Sequence, residues 1–221
     1  MASQQGALTR TGQLLREKKA VRVVCYGDSI STVEGRWFGG AKSKEAIWGE
    51  QLGVLLRKAY PESDIQVINL GVPGQNAYEG LGRITTLAEV KPDLVLVAFG
   101  ANDCCYHFLQ PEETGLALKT LAEWIKERFA ADVMIVGTAG DNPVNPFFVH
   151  LDATVQASRK AAEEVGVPFV DMRAAALQWT EQGTRWIEFF NGNKNCHPND
   201  TGHRAWAEVV LGAIQQAVVK K

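Results

Sequence analysis

Residues 24–30 read VCYGDSI, an apolar run that ends at a glycine and is followed by an acid and a hydroxyl residue. Glycine, aspartate and serine are common in turns, so a plain turn explains the segment when it is read alone. The other interpretation is a serine nucleophile at the end of a buried strand, where an α/β sheet opens to solvent. A nucleophile needs a base and further polar groups at the same place, so the rest of the chain decides between the two.

Four further apolar runs are similar to the one that precedes this turn. All five are continuous rather than alternating in hydrophobicity, which is typical of parallel strands covered on both faces. The predicted strands are residues 20–26, 64–70, 93–99, 132–138 and 167–172. The predicted helices are residues 45–59, 78–90, 111–130, 152–165 and 201–219. Strands that alternate with helices predict a three-layer α/β/α sandwich around a five-stranded parallel sheet.

Length and composition fit a single domain over residues 1–221, of which residues 1–19 form a partly helical N-terminal extension. The chain has 221 residues, 46% hydrophobic and 22% charged, which is enough apolar content for a core. The formal net charge is −2, so no nucleic-acid partner is expected. The longest apolar runs are strand-sized, so no membrane insertion is expected either.

The N-terminal segment lacks the basic and apolar regions of a signal peptide, which predicts a cytoplasmic location. A secreted protein from which a leader had been removed would read the same. The four cysteines contain no C-x-x-C pair, so we expect no metal site, and free buried thiols are the simplest interpretation.

Polar or glycine-containing segments follow three of the predicted strands, and a fourth lies near the C-terminus. Because ligands of open α/β sheets bind beyond the carboxyl ends of the strands, these segments are expected to meet at one edge. They read GDS (27–29), GVPGQNA (71–77), GANDCC (100–105) and NCHPNDTGH (195–203).

Together these segments contain what acyl transfer requires. Ser29 can supply the attacking hydroxyl, and His197 can act as the base because imidazole titrates near neutral pH. The tetrahedral intermediate needs donors for its oxyanion. The backbone N–H groups of Ser29 and Gly71 and the side-chain amide of Asn102 are the candidates.

The four blocks, in this order, resemble the SGNH hydrolases, also called GDSL-type esterases and lipases. The resemblance extends from about residue 20 to the C-terminal helix. It implies a flavodoxin-like α/β fold with Ser29 as nucleophile, His197 as base and an oxyanion hole completed by Gly71 and Asn102, without metal or organic cofactor. The implied activity is hydrolysis of short-chain carboxylic esters through an acyl-enzyme, with small-molecule esters or O-acetylated carbohydrates as substrates.

The sequence departs from the family pattern just before the histidine. Family members usually carry an aspartate three residues before it, and this chain has Lys194 there. A cation beside an imidazolium is unfavourable, so Lys194 is expected to point away. Three substitutes remain open: a backbone carbonyl of residues 191–196, an amide of Asn193 or Asn195, or the carboxylate of Glu188. We favour a carbonyl or an amide, which makes the site a Ser–His dyad.

Two cysteines adjoin the predicted site, since Cys104 follows Asn102 by two residues and Cys196 precedes His197. If the implied fold is correct, their segments are neighbours. A disulfide between Cys104 and Cys196 would then fix the histidine segment, and Cys105 is the alternative partner.

Several functions remain open within and beyond this class. A lysophospholipase or thioesterase is the second choice within it, and Phe147 and Phe148 are aromatic residues that could line an acyl pocket or stack on a sugar. A non-catalytic carbohydrate-binding relative is a third possibility. A nucleotide-binding flavodoxin-like module is disfavoured because no phosphate-binding glycine motif follows a predicted strand.

Overall fold

The computed structural model describes residues 6–33, 38–105, 109–143, 147–193 and 195–218. Five strands form one sheet in the order β2-β1-β3-β4-β5, and all neighbouring pairs are parallel. This is the doubly wound order of flavodoxin-like folds, so the predicted fold class is confirmed. The strands are Val21–Gly27 (β1), Ile65–Asn69 (β2), Leu94–Ala98 (β3), Asp132–Val136 (β4) and Phe169–Val170 (β5).

Helices cover both faces of this sheet. Val23 and Cys25 of β1 belong to one buried cluster, whereas Val24 and Tyr26 belong to the other, which explains the continuous apolar run. The helices in the described residues are Thr9–Arg16 (α1), Trp48–Ala59 (α2), Ala77–Gly82 (α3), Leu87–Val90 (α4), Ala101–Cys105 (α5), Pro111–Phe129 (α6), Leu151–Val165 (α7), Met172–Glu181 (α8) and Asp200–Val218 (α9). Helices α1, α2, α8 and α9 pack in the first cluster, and α3, α4, α6 and α7 in the second.

Two elements differ from the sequence prediction. The fifth strand is shorter, because the side chain of Asp171 accepts a hydrogen bond from Ala174 N at 2.8 Å and thereby caps α8. The helix expected over 78–90 is divided at Arg83, and a single 3-10 turn at Ile84–Thr86 joins α3 to α4.

The amino-terminal edge of the sheet is closed by α1. Arg10 forms an ion pair with Asp93 at 2.7 Å, and Thr11 N donates to Asp132 Oδ2 at 2.7 Å. These contacts leave the opposite, carboxyl-terminal edge for the polar blocks. None of the helices in the described ranges is long and apolar enough to cross a membrane.

Candidate active site

The Gly-Asp-Ser block forms a tight turn at the carboxyl end of β1. Gly27 is buried beside β3, where a Cβ atom would overlap the carbonyl oxygen of Ala98. Asp28 is 2% exposed, and its Oδ1 accepts a hydrogen bond from Ile30 N at 2.9 Å, which caps one 3-10 turn. The half-buried Ser29 is the first residue of that turn.

The hydroxyl of Ser29 meets the imidazole of His197, 168 residues along the chain. Ser29 Oγ lies 2.9 Å from His197 Nε2. On the other side of the ring, Nδ1 lies 2.9 Å from Asn195 Oδ1. The site therefore consists of a serine, a histidine and an asparagine in series.

The protonation of the ring follows from the second contact of Asn195. Its Oδ1 also accepts a hydrogen bond from His197 N at 2.9 Å, and a backbone N–H can only donate. The atom facing the ring is therefore the amide oxygen, so Nδ1 must carry the proton. Nε2 is then the acceptor for the Ser29 hydroxyl, which is the tautomer that a general base requires.

Of the three substitutes that the sequence left open, Asn195 is the one whose side chain contacts the imidazole. The carboxylate of Glu188 instead pairs with Arg185 at 2.9 Å on the surface. Asn193 is exposed, and its Oδ1 lies 3.5 Å from Asn142 Nδ2. Lys194 lies outside the described residues.

A second amide fixes the position of the histidine segment. Asn191 Nδ2 donates to Gly40 O at 2.8 Å and to Pro198 O at 2.9 Å, and Asn191 N donates to His197 O at 3.1 Å. Gly40 has φ +101°, and a Cβ atom there would lie 2.9 Å from the Cβ of His197. The histidine is therefore held between two loops.

A pocket of about 330 Å³ opens beside the Ser–His pair. The buried Asn102, near the start of α5, contributes to its wall, and its Nδ2 donates to Gln75 O at 2.9 Å. The lining residues are Ser29, Pro73, Gly74, Ala101, Asn102, Cys105, Phe148, Cys196 and His197.

The glycine that lines this pocket is Gly74, not Gly71. A Cβ atom on Gly71 would lie 2.6 Å from the carbonyl oxygens of Asp28 and Ser31, so this glycine packs beneath the turn that carries Ser29. Gly74 has φ +80° and reaches the pocket wall. The assignment of Gly71 rested on its place directly after β2, and the later glycine of the same block was the signal that sequence analysis missed.

The disulfide considered as a hypothesis between Cys104 and Cys196, with Cys105 as the alternative partner, is not formed, since all three cysteines are free. The Cys104 thiol is buried and lies 3.1 Å from Gly100 O, within donor range, so it points back into its own helix. Burial raises the pKa of Cys105 to about 11 and that of Cys196 to about 12. Both pocket residues are therefore neutral thiols near pH 7.

Burial also sets the protonation of the groups around the turn. It lowers the pKa of His197 below its ordinary 6.5, which favours the neutral form of the ring. It raises the pKa of Asp28 to about 7, and the nearby Asp103 carboxylate adds to this effect. Asp103 accepts from Ala77 N at 3.2 Å and Gly100 N at 3.1 Å, and burial raises its pKa too.

The other histidine of the C-terminal block is structural. His203 is fully buried, with Nδ1 accepting from Trp48 N at 3.2 Å and Nε2 donating to Gly39 O at 3.0 Å. Burial lowers its pKa to about 4. Within the described ranges, no group of three or more His, Cys, Asp or Glu residues could hold a metal ion.

This arrangement of blocks at one sheet edge matches a known family. Residues 25–205 match the sequence profile of the GDSL-like Lipase/Acylhydrolase family. The chain belongs to this family. The match covers all four blocks, so the resemblance seen in the sequence is confirmed.

The fold of this GDSL-like protein is similar to that of several esterases whose structures are solved. A two-domain esterase active on acetylated mannans has 20% identity and a TM-score of 0.76, covering 98% of this chain and 55% of its own. This chain thus spans about half the length of that two-domain esterase.

Two further structures are similar over nearly their whole length. An acetylxylan esterase from Geobacillus stearothermophilus has 22% identity and a TM-score of 0.71, with 91% of this chain and 97% of that one covered. A lipase/acylhydrolase from Enterococcus faecalis has 20% identity and a TM-score of 0.70, with 89% and 96% covered. A search of curated sequences finds no match. At these identities the structures establish the shared fold.

Proposed function

We propose that this protein is a serine esterase that hydrolyses short-chain carboxylic esters through an acyl-enzyme. The observation that carries the proposal is the 2.9 Å contact between Ser29 Oγ and His197 Nε2, with the ring held in the productive tautomer by Asn195. Membership of an acylhydrolase family supports the same reaction class. A hydroxyl paired with a neutral imidazole is the arrangement that activates serine for acyl transfer.

In the proposed mechanism, His197 removes the proton of Ser29 as the hydroxyl attacks the ester carbonyl. The negative charge that develops on the carbonyl oxygen needs preorganised donors. We assign this role to the backbone N–H groups of Ser29 and Gly74 and to the Asn102 N–H that does not donate to Gln75 O. The imidazolium then protonates the leaving alcohol, and a water molecule activated by the same histidine releases the acid.

The size of the pocket favours a short acyl group. Its volume of about 330 Å³ is at the lower end of the range for small-molecule sites. Cys105 and Phe148 form part of its wall, and Phe148 N donates to Asp141 Oδ2 at 2.8 Å, which holds the aromatic residue in place. The carboxylate of Asp141 is buried, so this wall is not expected to move aside for a long chain.

For the alcohol part of the substrate we propose a carbohydrate. Phe147 is 58% exposed and lies against Phe148 with ring centroids 6.0 Å apart, so it offers an aromatic face beside the pocket. Two of the similar structures are esterases of acetylated mannan and of acetylxylan, according to their descriptions. Removal of O-acetyl groups from a carbohydrate fits both observations.

The test is covalent labelling combined with acyl-length kinetics. A fluorophosphonate should label Ser29, and Ser29→Ala and His197→Ala should each lower kcat for p-nitrophenyl acetate by about 10⁴-fold or more. Ser63→Ala, at a turn before β2 on the opposite sheet edge, is the matched control and should keep wild-type rates. Wild-type turnover should fall from acetate through butyrate to octanoate. Full activity in Ser29→Ala would refute the mechanism.

A further inference from the structure

An arginine outside the pocket connects two of the blocks that form the site. Arg83 Nη2 donates to Gly27 O at 2.9 Å, and Arg83 Nε donates to Gln75 Oε1 at 2.5 Å. Gly27 ends β1 two residues before Ser29. The guanidinium therefore binds the nucleophile turn and the segment after β2 at the same time.

The segment after β2 in turn determines where the Asn102 amide points. The carbonyl oxygen of Gln75 accepts a hydrogen bond from Asn102 Nδ2 at 2.9 Å. Backbone bonds tie the start of this segment to β1, since Leu70 N donates to Cys25 O at 2.8 Å and Val72 N donates to Gly27 O at 3.0 Å. Further along, Gln75 N donates to Val72 O at 3.4 Å, and the Arg83 contact adds a side-chain constraint at the same residue. Arg83 thus acts on Asn102 through Gln75. Arg83 binds the side chain of Gln75, and Asn102 binds its carbonyl oxygen.

The guanidinium is itself held by aromatic rings. Its central carbon lies 4.0 Å from the ring centroid of Tyr26 and 5.9 Å from that of Phe99. These rings meet edge to face at 5.8 Å, and Tyr26 OH donates to Gly80 O at 2.6 Å. A planar group stacked on a fixed ring presents its N–H groups in set directions, which a flexible ammonium does not.

We propose that Arg83 is a positioning residue, which keeps the Asn102 amide in register with Ser29 through Gln75. The inference rests on the proposed esterase function. Arg83 is not among the residues that line the pocket, so it acts through its two acceptors and not by contact with substrate. Small displacements of an oxyanion donor weaken transition-state binding much more than substrate binding. The expected signature is therefore a loss in kcat with little change in KM.

The experiment compares four variants in the full-length protein with p-nitrophenyl acetate. Arg83→Met should lower kcat by about tenfold, less than the 10²- to 10³-fold that follows complete loss of an oxyanion donor, and KM should stay within about twofold. The kcat of Arg83→Lys should lie between those of Arg83→Met and the wild type, because an ammonium group cannot reproduce the rigid two-pronged donor geometry of a guanidinium. Gln75→Leu should behave as Arg83→Met, whereas Gln75→Glu keeps the acceptor and should retain most of the activity.

A matched arginine on the other side of the molecule serves as control. Arg57 Nη1 donates to Ile65 O at 3.2 Å, at the start of β2, so Arg57→Met removes a similar contact far from the site and should leave kcat unchanged. Thermal melts establish that each variant is folded, and the half-buried Gln75 provides the second variant if Arg83→Met does not fold.

Phosphonylation of Ser29 separates failure of this inference from failure of the proposed function. Wild-type protein that is neither labelled by a fluorophosphonate nor active on esters overturns the esterase proposal, and the inference with it. Labelling and turnover in wild type, together with unchanged kcat in Arg83→Met and Gln75→Leu, overturn the inference alone. A raised KM with unchanged kcat in Arg83→Met also overturns it, because that result indicates lost substrate binding.

Discussion

The two members of the Ser–His pair are held in different ways. Ser29 sits on a buried turn that continues β1, a strand paired on both sides, and Gly27 O accepts from Val72 N at 3.0 Å. His197 sits in a loop whose position depends on side-chain amides. Asn191 and Asn195 bind the histidine segment, and Asn199 Nδ2 donates to Ile187 O at 3.2 Å and Glu188 O at 3.1 Å.

Because of this difference, substitutions around Ser29 and substitutions around His197 are expected to affect stability and catalysis differently. The nucleophile turn shares buried groups with the core, so a change there affects the free energy of unfolding as well as the rate. The amides of the histidine loop are half-buried or exposed, so their loss is expected to disturb the imidazole and leave the core intact. Substitutions in the two segments test this separation directly.

The largest effect is expected at Asn195. Asn195→Ala removes the acceptor that selects the tautomer of His197, and loss of the correct tautomer has cost about 10⁴-fold in kcat in a serine protease. We expect a loss of about 10²- to 10⁴-fold with an unchanged melting temperature, measured by ester hydrolysis and calorimetry. Glu188→Ala is the control and should keep its activity, since its carboxylate pairs with Arg185. A collapse in Glu188→Ala would contradict the assignment of the orienting group.

The same position gives a test by pH. His197 must be neutral to act as a base, and burial lowers its pKa, so kcat/KM of the wild type should reach its plateau below the pH expected for an ordinary histidine. In Asn195→Asp a carboxylate would face Nδ1, stabilise the imidazolium and raise the pKa. The acid limb of the pH profile should therefore move to higher pH, and an unmoved limb would refute the contact.

A smaller effect is expected at Asn191. Asn191→Ala removes the bonds to Gly40 O and Pro198 O but leaves the contact between Asn195 and the ring. The loop then loses one of the side-chain amides that hold it, and we expect kcat to fall by about three- to tenfold, the scale of 1 kcal/mol in transition-state positioning. Asn193→Ala, an exposed amide of the same loop, is the matched control. Equal rates in both variants would contradict the anchoring role of Asn191.

The smallest effect on rate, and the clearest on stability, is expected at Asp28. Its pKa is about 7 in the folded protein against an ordinary 3.8, so between these values the folded state holds a proton that the unfolded state has released. Wild-type stability should thus fall as pH rises from about 4 to about 7. Asp28→Asn keeps an oxygen for Ile30 N and has no such dependence. At pH 8 the melting temperature of Asp28→Asn should be at least about 3 °C above that of the wild type. This shift corresponds to roughly 1 kcal/mol in the free energy of unfolding for a chain of this length.

The comparison of pH values provides the control for this prediction. At pH 4 the wild-type carboxyl is largely protonated, so the difference in melting temperature between Asp28→Asn and wild type should nearly vanish. A constant difference across the pH range would show that the substitution acts through packing instead of charge.

The sequence predicted the sheet and the place of Ser29 because both follow from regular geometry, whereas His197 was predicted from imidazole chemistry and from the resemblance to the SGNH hydrolases. Parallel strands place their carboxyl ends at one edge, so Ser29 and the segments after β2 and β3 had to meet there. The sequence could not select Asn195 from the three candidates for the group that contacts the imidazole. Side chains in a loop point in directions that follow no period, so sequence spacing does not predict their contacts. The roles that we propose for Gly74 and Arg83 were not predicted for the same reason, since both depend on the path of residues 70–76.

The incorrect disulfide has a related cause. Sequence proximity to the site suggested that Cys104 and Cys196 were neighbours, but the direction of a Cβ atom on a short helix decides which neighbour a thiol meets. Cys104 belongs to a small buried cluster with Leu151 and Val155, so its side chain packs against α7 instead of the histidine loop. The fifth strand was overestimated because the capping role of Asp171 is visible only once α8 is known.

A single oxygen atom of Asn195, Oδ1, contacts both the main-chain N–H and the ring of His197. The group that aligns the imidazole is therefore contained in three consecutive residues. Residues 186–190 have the separate task of holding the whole segment, since Trp186 and Phe190 are buried and the Asn199 amide donates to Ile187 O and Glu188 O. Alignment of the ring and placement of the loop that carries it therefore rest on different side chains.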